Sequence, residues 1–286
     1  MTFSTCTEDT TLFEGSFIMN TILKEKIQQL PALPESAIKL EAIYHDPNSS
    51  FDDMVKVLEI DPLLTADILK AANSPLYGFT REINSITQAV GLFGMGTIRG
   101  FALAMIVKKS FELNLSPYGI SNAQFSDLSK MQNALAVTWY LRQKPKLMEL
   151  LSPASFLIEI GKVMISQYLL DENKADDFKT KIEAGEGIKK TEQEMTDTYT
   201  AEVSADIFNH WKFDESLISL IRFAGEPESC EGEELIEASK VLHVIRIATG
   251  ITGVFTDESL SAAKELIEKY GLDLASFEAA IEKMSA

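Results

Sequence analysis

Asp61-Pro62-Leu63-Leu64-Thr65-Ala66-Asp67-Ile68-Leu69-Lys70-Ala71-Ala72-Asn73 is the stretch from which the fold is read. An Asp side chain can accept from the first orphaned helical N–H groups, and a Pro directly after it supplies a φ already suited to the first helical position. The segment therefore predicts a helix that starts at Pro62 and runs to Asn73. Working outward, the same grammar recurs. Ser50 with Asp53 and Ser85 with Gln88 form capping boxes, Thr97 is placed to cap a helix carrying Ile98, Phe101, Ala102 and Met105, and Ser121 with Gln124 opens a long helix ending near Pro145. Apolar residues follow a 3.6-residue period and strand signals are nearly absent.

Upstream, a helix over 20–30 places Leu23, Ile27 and Leu30 on one face until Pro31-Ala32-Leu33-Pro34 breaks it, and Pro34-Glu35 opens a second, ended by His45-Asp46-Pro47. Downstream, Ser152-Pro153 begins a helix with Leu157, Ile160, Gly161, Met164 and Tyr168 in step. Thr191 with Glu194 caps one presenting Met195, Tyr199, Val203 and Ile207, and Asp214 caps a third. The charged stretch 171–190 reads as a solvated connection with one short helix. Three helices close the chain, over 233–250, 257–270 and 275–284. The expected architecture is an all-α multi-helix bundle: a tail at 1–19, a helical domain at 20–228 (an N-terminal part, 20–115, and a bundle part, 121–225), and a C-terminal helical extension at 229–286.

The chain has 286 residues and a formal net charge of -17. That sign repels phosphate backbones and anionic lipid, so neither nucleic acid nor membrane insertion is expected. Cys6 and Cys230 have no paired spacing, and residues 1–15 lack the basic and apolar regions of a secretory signal, which predicts a cytoplasmic protein. Residues 89–107 resemble a membrane span in hydropathy and contain Gly96-x-x-x-Gly100. Four glycines dilute them, however, Arg99 would cost about 2.5–3.5 kcal/mol at a bilayer centre, and Gly94-Met95-Gly96 reads as a turn between two buried helices.

The three histidines are too sparse for a hydrolytic metal site. His45 reads as loop-exposed, His210 as a helix C-terminal cation, and His243 as a core or half-buried residue of an apolar helix. Neither cysteine has a local activating partner, no nucleophile, zinc or phosphate-loop motif occurs, and the short lysine and arginine clusters read as solvated helix ends. No cofactor is expected.

Leu30-Pro31-Ala32-Leu33-Pro34-Glu35, Asp61 to Ala66, Lys70-Ala71-Ala72-Asn73-Ser74-Pro75-Leu76-Tyr77-Gly78, Ile83 to Val90 and Leu92 to Arg99 together closely resemble the HDOD family, in order and spacing, over roughly residues 27–225. The resemblance implies a helical domain related to the HD phosphohydrolases, found mostly in bacterial signalling proteins. Where an HD hydrolase carries His-Asp before Ile-Gly-Lys, this chain has Ile158-Glu159 before Ile160-Gly161-Lys162. Thr200 stands where relatives often begin a segment with His, and Ala224-Gly225 where they often end one with His-His. Isoleucine has no lone pair, and one carboxylate cannot hold a dinuclear centre by itself.

The resemblance thus implies a non-catalytic signalling module that binds unidentified protein partners or a small regulatory ligand, acting in trans because no receiver, kinase or DNA-binding segment is visible in the remaining residues. The alternative is a divergent HD-type metal-dependent phosphohydrolase or cyclic-dinucleotide enzyme using Glu159. Candidate interaction residues are Asn73 and Ser74, where local backbone capping competes with partner contact, and Arg99, where a buried ion pair competes with ligand binding.

Overall fold

Asp61 Oδ1 accepts from the backbone N–H of both Leu63 and Leu64 at 3.0 Å, and the helix it starts spans Pro62–Ala72. The structure is a computed structural model that describes residues 21–251 and 253–285; the expected tail at 1–19, with Cys6, lies outside them. In chain order the helices are α1 (Thr21–Gln28), α2 (Glu35–His45), α3 (Phe51–Glu59), α4 (Pro62–Ala72), α5 (Ile86–Lys109), α6 (Asn122–Tyr140), α7 (Met148–Leu157), α8 (Gly161–Asp171), α9 (Ala175–Glu183), α10 (Ile188–Thr196), α11 (Thr200–His210), α12 (Glu215–Arg222) and α13 (Glu233–Ala248). A two-residue antiparallel pair, β1 (Thr249–Gly250) and β2 (Gly253–Val254), precedes α14 (Asp257–Tyr270) and α15 (Leu274–Ser285).

The Ser50/Asp53 and Ser121/Gln124 boxes are reciprocal, and Asp214 accepts from Leu217 N at 2.8 Å to start α12. At α5, Ser85 caps Gln88 N, while the Gln88 amide oxygen turns to Asn84 N instead.

Five local readings are corrected by tertiary packing. Thr97 caps nothing; it is buried inside α5, whose helical path breaks three residues earlier at Gly94 (φ 80, ψ 161). Pro153 does not start a helix but sits within α7, which begins at Met148. A Cβ on Gly100 would come within 2.8 Å of Pro153 N and one on Gly96 within 2.6 Å of Glu149 Cα. The Gly96-x-x-x-Gly100 pair is therefore the seam along which α5 and α7 press their backbones together within one chain.

The helix expected from 153 onward is two, α7 and α8, interrupted at 158–160, and the helix expected from Thr191 is likewise two, separated where Asp197 takes a left-handed φ of 57. Thr191 lies within α10, its hydroxyl bonded to the Gly187 carbonyl at 3.1 Å. The stretch 171–190 is less solvated than its charge implies, since α9 buries Phe178 against Tyr118.

α5 packs on α2, α3, α4 and α7; α7 also meets α6, α12 and α13; and α11 lies on α8 and α12. Asn133 on α6 ties these layers together, accepting from Tyr77 Oη at 2.8 Å and donating to Ser152 Oγ at 2.8 Å. Trp211 Nε1 donates to the Pro31 carbonyl at 2.9 Å, fastening the Pro-Ala-Leu-Pro step to the end of α11. α5 is the one helix among the described residues long and apolar enough to cross a membrane, and 72% of its apolar window is buried inside the fold.

Candidate functional site

The turn between α7 and α8 is held from below by α11. Ser204 Oγ donates to the Ile158 carbonyl at 2.7 Å and accepts from Gly161 N at 2.8 Å. No side chain fits at 161, because a Cβ would stand 2.4 Å from the Thr200 carbonyl oxygen. This close approach leaves Ile158 in the core and turns Glu159, 5% exposed, toward α13.

Around Glu159 is a buried network of opposite charges. Arg246 Nε donates to Glu159 Oε1 at 2.8 Å, and Lys162 Nζ lies 2.9 Å from Glu159 Oε2. Lys162 also donates to Thr200 Oγ1 at 2.9 Å and reaches Glu192 Oε1 at 3.4 Å. Glu192 in turn accepts from Thr200 Oγ1 (2.6 Å), Thr200 N (2.7 Å) and Tyr118 Oη (2.8 Å). Two carboxylates face two cations, so the network is neutral and nearly every polar atom is engaged. It borders a cavity of about 290 Å³ whose other walls include Tyr199, Arg222, Gly225 and His243.

Burial alone would neutralise Glu159, but Arg246 and Lys162 outweigh it and hold the carboxyl well below the usual carboxylate range. Burial, reinforced by Glu192, keeps the Tyr118 phenol protonated. At the rim, burial and then Arg246 push the His243 imidazole down to about 4, and its Nδ1 is paired with Tyr270 Oη at 2.8 Å.

A di-metal centre needs several free lone pairs converging on one point. Here Ile158, Ala224 and Gly225 offer no side-chain donor, Thr200 Oγ1 is bonded, and both carboxylates are committed to cations. These residues do not fit such a centre. The group among the described residues that could offer three ligand atoms lies elsewhere: Glu41, His45 and Asp214, within 4.8 Å of one another.

That second cluster is already bridged by Arg99. Its guanidinium is 1% exposed, donates from Nε and Nη2 to the two Glu41 oxygens at 2.7 Å each, reaches Asp214 at 3.1 Å, and lies 4.0 Å over the Tyr44 ring. His45 stays exposed at the end of α2, with Nε2 3.6 Å from Glu41. Asn73 braces its own loop, donating to the Leu69 and Ile83 carbonyls and accepting from Ile83 N. Ser74 beside it makes no capping bond. The three candidate residues thus fall in separate places from the Glu159 network.

The HDOD domain matches residues 30–227. The chain belongs to the HDOD family. Among solved structures, this HDOD chain is similar to a virulence factor from Campylobacter jejuni, 26% identical, with 90% of this chain and 94% of that one covered and a TM-score of 0.55. It also resembles a candidate phosphohydrolase from Shewanella amazonensis (23% identical, 93% and 96% covered, TM-score 0.65). A third similar structure is an HDOD domain protein with unknown function from Geobacter sulfurreducens (18%, 92% and 95%, 0.58). An uncharacterised protein of Treponema pallidum is 26% identical over 73 residues, which span 26% of this chain and 14% of that protein.

Three members of the HDOD chain's network escaped the sequence. Arg246 lies in α13, beyond the matched domain; Glu192 precedes the first apolar residue of the helix expected from Thr191, and Tyr118 lies in a connection between helices. The available signal was Lys162 itself, a lysine in an otherwise apolar run that requires a buried counter-charge.

Proposed function

We propose that this protein is a non-catalytic regulatory module of a bacterial, cytoplasmic signalling pathway, working by association with a protein partner or a small ligand. One observation carries the reading: Lys162 and Arg246 neutralise the carboxylates at the place where an HD hydrolase would hold its metals. An internal ammonium and guanidinium supply the positive charge that an ion would otherwise bring, but neither has an open position that could activate water. The family membership supports a signalling context, and the Glu159 network supplies a rigid, neutral platform instead of a reaction centre.

The test is metal analysis and turnover on the full chain expressed with added manganese and iron. The expected result is less than one tenth of an equivalent of metal and no hydrolysis of bis(p-nitrophenyl) phosphate or cyclic dinucleotides. Stoichiometric metal, with turnover abolished by Glu159→Ala, would establish the phosphohydrolase alternative and remove this reading. Affinity capture from native lysate should return a reproducible partner. Failure to do so, combined with no thermal stabilisation by any nucleotide, counts against the binding role.

A further inference from the structure

Five buried side-chain polar atoms among the described residues lack a hydrogen-bond partner, and three of them, Thr97 Oγ1, Thr138 Oγ1 and Trp139 Nε1, belong to residues lining a single groove. Thr97 and Trp139 are 1% and 2% exposed. These three atoms are sealed within the groove's walls, and an unpaired buried polar group costs about 1–3 kcal/mol. The groove holds about 940 Å³ between the break in α5, the C-terminal end of α6 and α15, a size that suits a small organic ligand.

Its charge runs against that of the molecule. In a chain of net charge -17, the groove is lined by Arg142, Lys146 and Lys283 against one carboxylate, Glu149, which accepts from Tyr44 Oη at 3.0 Å. The three cations make no ion pair among the described residues. Lys283 is placed by the backbone: Gly78 has a φ of +65, a Cβ there would stand 2.7 Å from Lys283 Cε, and the ammonium lies 3.4 Å from the Tyr77 carbonyl. The break at Gly94 adds the start of a new helical run from Met95, with its partial positive charge. The same groove exposes an aromatic face, since Phe79 is 40% exposed and its ring packs edgewise on Phe93 at 5.1 Å.

We propose that this groove binds a nucleoside phosphate. Its phosphates lie against Arg142, Lys146 and Lys283, and its base stacks on Phe79. A bare phosphate would leave the aromatic face without a role, and an apolar ligand would leave the cations without one. The site deepens the small-ligand arm of the function proposed above and is distinct from the Glu159 network.

Isothermal titration of the full chain with ATP and GTP tests it, with tripolyphosphate, adenosine, guanosine and hexaglutamate as partial probes. At least one nucleotide should bind at one site per chain, at least tenfold tighter than every partial probe. Phe79→Ala and the double charge reversal Arg142→Glu/Lys146→Glu should each weaken binding at least tenfold, and the charge reversal should do so while leaving the thermal melt unchanged, because Arg142 and Lys146 are exposed. No binding of either nucleotide at millimolar concentration overturns the proposal, as does binding indifferent to those variants or matched by hexaglutamate. Chromatography of the recovered nucleotide gives a separate readout: intact nucleotide agrees with a non-catalytic module, and hydrolysis would overturn that reading independently of where the nucleotide sits.

Discussion

Arg246 Nε and Glu159 Oε1 are 2.8 Å apart although 87 residues separate them, and this bond joins α13 to the turn between α7 and α8. Lys162 completes the pairing from the other side. Replacing Glu159 by Gln leaves Arg246 without its carboxylate and Lys162 with Glu192 alone, and the expected loss is about 3–5 kcal/mol. Urea unfolding measures it. Glu159→Gln combined with Arg246→Gln should cost less than the sum of the single changes, with a coupling above about 0.5 kcal/mol.

Acid should act in two stages. His243 titrates at 6.5 in the reference state and at about 4 when folded, so between those values the unfolded chain binds the extra proton and stability falls as pH falls. With the ring partly solvated, this contributes roughly 1–2 kcal/mol, complete above pH 6.5. Glu159, also held below its reference value of 4.5, contributes stability that is present above that pH and is lost further down. His243→Gln, which keeps a partner for Tyr270 Oη, should flatten the stability profile between pH 6.5 and 4 and leave the lower stage intact.

Arg99 is a two-sided clamp on Glu41 and Asp214. Arg99→Ala removes the buried cation shared by both carboxylates and should cost about 3–5 kcal/mol by chemical denaturation. Arg99→Lys should recover part of that loss, since an ammonium keeps the charge but cannot fork across both Glu41 oxygens. Equal stability of the Lys variant and the wild type would show that the fork geometry contributes nothing.

Neighbouring Asn73 and Ser74 should separate cleanly. Asn73→Ala removes three bonds to Leu69 and Ile83 and is expected to lower stability by about 1–3 kcal/mol. Ser74→Ala should stay within about 0.5 kcal/mol of wild type, as its side chain caps nothing. A loss of partner capture by Ser74→Ala at unchanged stability would mark this loop as a docking contact.

Two glycine substitutions isolate two different costs. At Gly94 an added Cβ meets nothing within 4 Å, so Gly94→Ala is penalised by backbone conformation alone, about 1–3 kcal/mol. At Gly161 the backbone is helical but the space is absent, and Gly161→Ala must push α8 off α11, a cost of about 3 kcal/mol or more. Thermal melts of the two variants should rank in that order.

Helix starts governed by neighbouring residues were legible. Ser50, Asp61, Ser121 and Asp214 each cap where the sequence places them, because a cap needs partners two or three residues away. Breaks set by distant contacts were not. Pro153 sits inside α7 where Gly100 of α5 presses against it, and α10 buries Thr191, Glu192 and Thr196, a polar face that no apolar period reveals. The candidate site divides the same way. Missing imidazoles at 158, 200, 224 and 225 can be read letter by letter, whereas the pairing of Lys162 with Glu192, or of Glu159 with Arg246, exists only once four helices have come together.

The clasp of Trp211 on Pro31 also gives the molecule a built-in lamp. The chain has two tryptophans, and Trp211 is the one whose indole N–H is spent on the N-terminal segment. When α1 and the prolines beyond it lift away, that indole exchanges a carbonyl for water and its emission moves to the red. With Trp139 replaced by Phe, detachment of the first helix becomes an optical signal that can be timed against global unfolding.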